Sequence, residues 1–195
     1  SGNYDGTGTA IQYAAGRYGQ AASFNGSGSK IDLETPLLPV SNFSVSMWFN
    51  TSSTSGTSVL FSQYVLASGS NGRFWCGLSG SNIVVDIEGT TLTFTSYTIS
   101  TNTWYNFVLV KNSSSNNYEA FINGSSIGTV SSSKNISSTS DTIFGFREGG
   151  TSQYFNGKID QVRVFNKVLS TSEIATLYNE NPLVASYRFE GNSND

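Results

Sequence analysis

Histidine is absent from the chain and cysteine occurs once. Without histidine the commonest general base and the commonest transition-metal ligand are both missing, and a Ser–His–Asp arrangement is excluded. Cys76 has no partner for an internal disulfide, and its neighbours Phe74, Trp75 and Leu78 mark it as an inert buried thiol. Charge is scarce as well. Asp, Glu, Lys and Arg make up 12% of the residues, about half the usual share. The 10 Lys and Arg are scattered against 13 Asp and Glu, so no basic patch exists to hold a nucleic acid. No apolar run approaches the roughly 20 residues that a membrane-spanning helix requires. Residues 1–20 show no signal-peptide pattern.

Ser, Thr, Asn and Gly stand in the place of charge, a composition common in exported, surface and virion proteins. A 13% aromatic share with abundant Val, Ile and Phe still provides a core. A length of 195 residues suits one large β-sandwich. Turn signals recur at Asn25-Gly26, Gly80-Ser81-Asn82, Asn123-Gly124 and Asn156-Gly157, with short β-favouring runs between them. These predict strands near 21–24, 29–33, 43–50, 58–64, 73–79, 82–87, 91–95, 104–111, 117–122, 126–130, 142–146, 155–165 and 184–189. Asn123-Gly124 is the clearest hairpin turn, since both residues tolerate positive φ. One helix is predicted at about 171–179, where Ser170 and Glu173 form a capping box and Ile174, Leu177 and Tyr178 follow at helical spacing. Phe155, Gly157 and Ile159 share one strand phase while Val162 and Val164 fall on the other; a β-bulge at Asp160-Gln161 would reconcile them.

Four stretches carry a family resemblance. They are Phe24-Asn25-Gly26 with Lys30 to Leu33, Phe43 to Phe49, Trp104 to Val110 with Tyr118 to Gly124, and the long run from Phe155 to Ser170 with Glu173-Ile174. The chain resembles the laminin-G-like, concanavalin A-like lectin/glucanase family, which implies an all-β antiparallel jelly-roll sandwich with one short C-terminal helix. In that family a first strand precedes the loop seen here as Ser1 to Gly6. Here the similar strand, Leu183 to Phe189, comes last, so the chain looks circularly permuted. Residues 1–182 then form the sandwich. Residues 183–195 complete this fold, the next repeat of a tandem array, or the open edge of a neighbouring subunit.

The resemblance implies binding rather than catalysis, at an extracellular, cell-surface or virion location. Calcium is its most frequent ligand besides sugars, and by resemblance Asp160, Asp195, Asn194 and Asn3 are the candidate ligands. For a glycan or cell-surface polysaccharide the candidates are Tyr64, Tyr97, Arg147 and Tyr154, because sugar rings stack on aromatics and sugar hydroxyls need fixed polar partners. Trp48 and Trp104 read as core. The alternative is a glycoside hydrolase-like sandwich; its nearest carboxylate pair is Asp86 and Glu88, which have the parity of one strand face but lack a third acid.

Overall fold

The computed structural model describes residues 6–64, 72–134, 136, 139–148 and 153–180. Two antiparallel sheets face one another. The front sheet contains β1 (Thr7–Thr9), β4 (Lys30–Asp32), β13 (Thr142–Phe144), β6 (Thr57–Gln63), β7 (Phe74–Ser79), β8 (Asn82–Ile87) and β9 (Thr90–Phe94), in that order. The back sheet runs β12 (Ser125–Ser131), β11 (Asn117–Ile122), β10 (Trp104–Asn112), β5 (Phe43–Thr51), β14 (Asn156–Phe165), β3 (Gln20–Asn25) and β2 (Gln12–Ala15). This is a jelly-roll sandwich, as the family resemblance implied, and its antiparallel strands follow the turn spacing.

Period-two alternation fills the space between the sheets. Phe43, Val45, Met47 and Phe49 of β5 point inward against Phe74, Cys76 and Leu78 of β7 and Ile83, Val85 and Ile87 of β8. Burial drives the thiol pKa of Cys76 far up and leaves it an unreactive apolar filler. The hairpin between β11 and β12 turns at Asn123 and Gly124, both at positive φ.

The other phase of the back sheet is buried as well, beneath α1 (Thr171–Asn179). Val108, Val110 and Phe121 pack on its outer face against Leu169 and Ile174, with Leu177 and Phe165 beside them. Trp48 belongs to this layer. It is buried as expected, but outside the inter-sheet core: its ring stacks on Tyr178 at 5.9 Å and meets Tyr18 edge-on at 6.0 Å. Trp104 is half-buried at the start of β10.

Helix α1 is short and begins at a complete capping box. Ser170 Oγ accepts the Glu173 N–H, and the Glu173 carboxylate accepts the Ser170 N–H at 2.8 Å. Lys167 hydrogen-bonds the same carboxylate and, with Ser170, pulls its pKa down to about 2. A depressed carboxylate stabilises the fold above its unfolded pKa, and that contribution is lost as pH falls through the folded value. Thermal unfolding should therefore show the native chain losing its advantage over Glu173→Gln between pH 4.5 and about 2. A constant difference across that window would remove Glu173 from the cap's energetics.

Candidate functional site

The bulge in β14 lies where the phase change placed it. Asp160 pairs with Trp48 and Arg163 with Ser46, so two residues, Gln161 and Val162, oppose Met47 alone. Gln161 takes φ +50°, the left-handed conformation that the extra residue demands. Asp160 is buried and both carboxylate oxygens are engaged: Oδ1 accepts the Gln161 N–H at 2.8 Å and Oδ2 the Tyr18 N–H at 3.0 Å. The carboxylate thus ties the bulge to the β2–β3 turn. No group of three or more Cys, Asp or Glu able to hold a metal occurs among the described residues. Asn3, Asn194 and Asp195 lie outside the described residues.

Asp86 and Glu88 do not share a strand face. Strand β8 ends at Ile87, and Glu88-Gly89 form the turn into β9, with φ of +49° and +82°. The expected parity fails because the hairpin reverses one residue too early. Asp86, itself buried, accepts from Arg73 Nε and the Gly89 N–H through Oδ1 and from Thr91 Oγ1 through Oδ2. Glu88 Oε1 accepts the Gly72 N–H. These two carboxylates are structural acceptors rather than a facing acid and nucleophile.

Three of the four sugar candidates share a neighbourhood. The Arg147 guanidinium lies 5.7 Å over the Trp75 ring and its Nε donates to Gln153 Oε1. Burial and then the like charge of Arg73 lower its pKa, Asp86 opposes this, and Tyr64 is close enough to act on it. Tyr64 itself is buried. Tyr154 stacks on Phe146, the residue before Arg147, with ring centroids 4.2 Å apart and an interplanar angle of 12°. Tyr97 is elsewhere, edge-on to Tyr105 at 5.9 Å, where burial and then the phenols of Tyr105 and Tyr178 raise its pKa.

Tyr154 also lines a cleft of about 200 Å³ at one end of the sandwich, shared with Asn25, Asn156, Ser53, Ser55 and Thr57. Clefts for drug-sized ligands run to about 300–1,000 Å³, so this one suits a smaller group. Its walls are set by close packing: Asn25 pairs with Asn156 across β3 and β14, and Asn25 Oδ1 accepts the Ser27 and Ser29 N–H groups. That leaves the Asn25 amide donors for the cleft. Gly26, at φ +75°, fits because a Cβ there would come within 2.9 Å of Asn156 Cβ. The sequence singled out Tyr154 but missed this polar ring. Asn25-Gly26 and Asn156-Gly157 were legible only as turns, and nothing local shows that β3 and β14 place them side by side.

A jelly-roll with its outer back face covered by a helix and polar clefts at its rim defines a lectin-like sandwich. The chain belongs to the concanavalin A-like lectin/glucanases superfamily, whose family model matches residues 25–175. Comparison with curated protein sequences gives no match. Among solved structures it is similar to domain 4 of AbnA, an extracellular arabinanase of family GH43 from Geobacillus stearothermophilus solved with arabinotriose. That match has a TM-score of 0.71 and 20% identity over 88% of this chain and 82% of that one. A heptameric SAP-like pentraxin from Limulus polyphemus gives TM-score 0.67 and 16% identity, covering 80% of each chain. The binding domain of botulinum neurotoxin serotype G gives TM-score 0.67 and 17% identity over 91% of this chain and 47% of that one. At such identities the likeness establishes the fold.

Proposed function

We propose that the domain is a non-catalytic carbohydrate-recognition module, and that a sugar unit sits in the rim cleft beside Tyr154. The observation that carries this reading is the cleft's composition. One aromatic ring, fixed by its stack on Phe146, stands among two asparagine side chains and several hydroxyls. Apolar sugar faces pack on such rings, and sugar hydroxyls exchange hydrogen bonds with amides and hydroxyls. The engagement of Asp86 and Glu88 by structural donors supports binding without hydrolysis. The weakly charged, hydroxyl-rich composition supports work in an extracellular setting, on a cell surface or a virion. The likeness to a domain solved with an oligosaccharide agrees with this.

A glycan array identifies the ligand, and calorimetry on the best hit, with calcium and with chelator, measures it. Tyr154→Ala should weaken binding by at least about tenfold, since the stacking face of one sugar is lost. Tyr97→Ala should leave it unchanged. An array without hits would sink the carbohydrate reading. Equal effects at Tyr154 and Tyr97 would move the site.

A further inference from the structure

The outer face of the front sheet holds two arginines beside a single committed acid. Trp75 of β7 points away from the inter-sheet core and packs with Val59 of β6 and Val84 of β8. Arg73, two residues before it, shares that phase. Asp86 stands directly opposite Trp75 on β8 and accepts from Arg73 Nε at 2.9 Å. The Arg147 guanidinium lies over the Trp75 ring. Two cations thus flank one indole.

Arg147 is firmly positioned. Ser62, opposite Trp75 on β6, donates its hydroxyl to the Phe146 carbonyl at 2.9 Å, and Gln153 Oε1 accepts the Arg147 Nε–H. Holding a long side chain in this way costs conformational entropy, and no ion pair among the described residues offsets it for Arg147. Asp86 is already saturated: Oδ1 takes Arg73 Nε and the Gly89 N–H, and Oδ2 takes the Thr91 hydroxyl. Glu88 is held at the Gly72 N–H. Burial lowers the Arg147 pKa most, the like charge of Arg73 lowers it further, and Asp86 restores less than Arg73 removes.

Both guanidiniums are engaged through Nε, so the terminal N–H groups of each fork have no hydrogen-bond partner among the described residues. The Trp75 indole N–H has none either, although the residue is only 5% exposed. All of these groups are donors. A set of donors with surplus positive charge fits an anion, and planar guanidinium forks fit a carboxylate best.

We propose that this face is a second ligand site, in which the terminal N–H groups of Arg73 and Arg147 bind the carboxylate of an acidic saccharide. The carboxylate follows from the donors alone, while the saccharide rests on the carbohydrate-recognition reading of the domain.

Calorimetry on the full chain with a glucuronate-containing disaccharide, its neutral glucose counterpart and its glucose 6-sulfate counterpart tests this. The uronate should bind at least about tenfold more tightly than the neutral sugar, with the difference shrinking as salt is added. In nuclear magnetic resonance spectra of the unaltered chain, the Nε–H signals of Arg73 and Arg147 should move with the uronate and stay in place with the neutral sugar. Arg147→Gln and Arg147→Lys should both abolish the uronate's advantage, since lysine keeps the charge but not the fork, and both should keep Tm within about 2 °C. Arg17→Gln, which removes a guanidinium from over Trp48 on the other sheet, should leave the advantage intact. So should Tyr154→Ala, which separates a failure of the rim cleft from a failure here. Equal affinity for uronate and neutral sugar overturns the proposal, as does an advantage that survives Arg147→Gln. A sulfate that gains as much as the carboxylate, with Arg147→Lys still active, overturns the carboxylate fork.

Discussion

Replacing Asp160 with alanine is expected to destabilise the fold by about 3–4 kcal/mol, one of the largest effects of any polar substitution in this chain. A hydrogen bond to a charged group contributes about 1.5–3 kcal/mol, and Asp160 accepts two from main-chain N–H groups in a buried setting. Alanine would leave both donors unpaired, one in the bulge and one in the turn between β2 and β3. Gly16 of that turn approaches the same carboxylate so closely that a Cβ there would lie 2.6 Å from Asp160 Oδ2. Asp160→Asn should lose roughly half as much, since one acceptor survives and the new amide NH₂ faces a donor. Denaturant unfolding of the native chain and both variants, with calcium and with chelator, gives the answer. A loss near 3–4 kcal/mol that chelator leaves untouched assigns the carboxylate to the bulge. A native chain that chelator weakens as much as the substitution does would give Asp160 to a cation instead.

Most of this fold was legible in the sequence because its signals are local. The helix is bounded by its capping box, and observed α1 matches the predicted 171–179. The phase break between Ile159 and Val162 located the bulge without any view of its partner strand. Strands β1 and β2 escaped notice for a physical reason: Thr7–Thr9 is exposed throughout and Gln12–Ala15 nearly so. An edge strand with no buried face carries no alternation to read. Trp48 was legible as buried but not as a partner of Tyr178, since its phase on β5 is covered only once α1 folds back across the sheet. The pairing of Asp86 with Glu88 failed at a turn whose positive φ at a glutamate has no strong sequence signal. At the rim, Tyr154 could be named, but Asn25 and Asn156 stand far apart in the chain and meet only through the register of β3 and β14.

Gly77 should prove at least as sensitive as Asp160, although it sits in an ordinary strand conformation and no turn requires it. It lies on the outward phase of β7 opposite Val59, where β6 carries a register shift between Val59 and Phe61. The irregularity brings the β6 backbone so near that a Cβ at position 77 would lie 2.0 Å from the Ser58 carbonyl oxygen and 2.9 Å from Val59 Cα. Neither atom is the end of a flexible side chain. Gly77→Ala must therefore push β6 away from β7 in the middle of the front sheet, and overpacking against main chain should cost about 3 kcal/mol or more. It would also disturb the cluster of Val59, Trp75 and Val84, on which the Arg147 guanidinium rests. Gly19 is the control. It sits at φ +63° with nothing within 4 Å of its Cβ position, so Gly19→Ala incurs only the left-handed strain of about 1–2 kcal/mol. Denaturant midpoints for the two variants separate backbone strain from backbone contact. A Gly77→Ala loss no greater than that of Gly19→Ala would mean that β6 and β7 stand farther apart than the register shift requires.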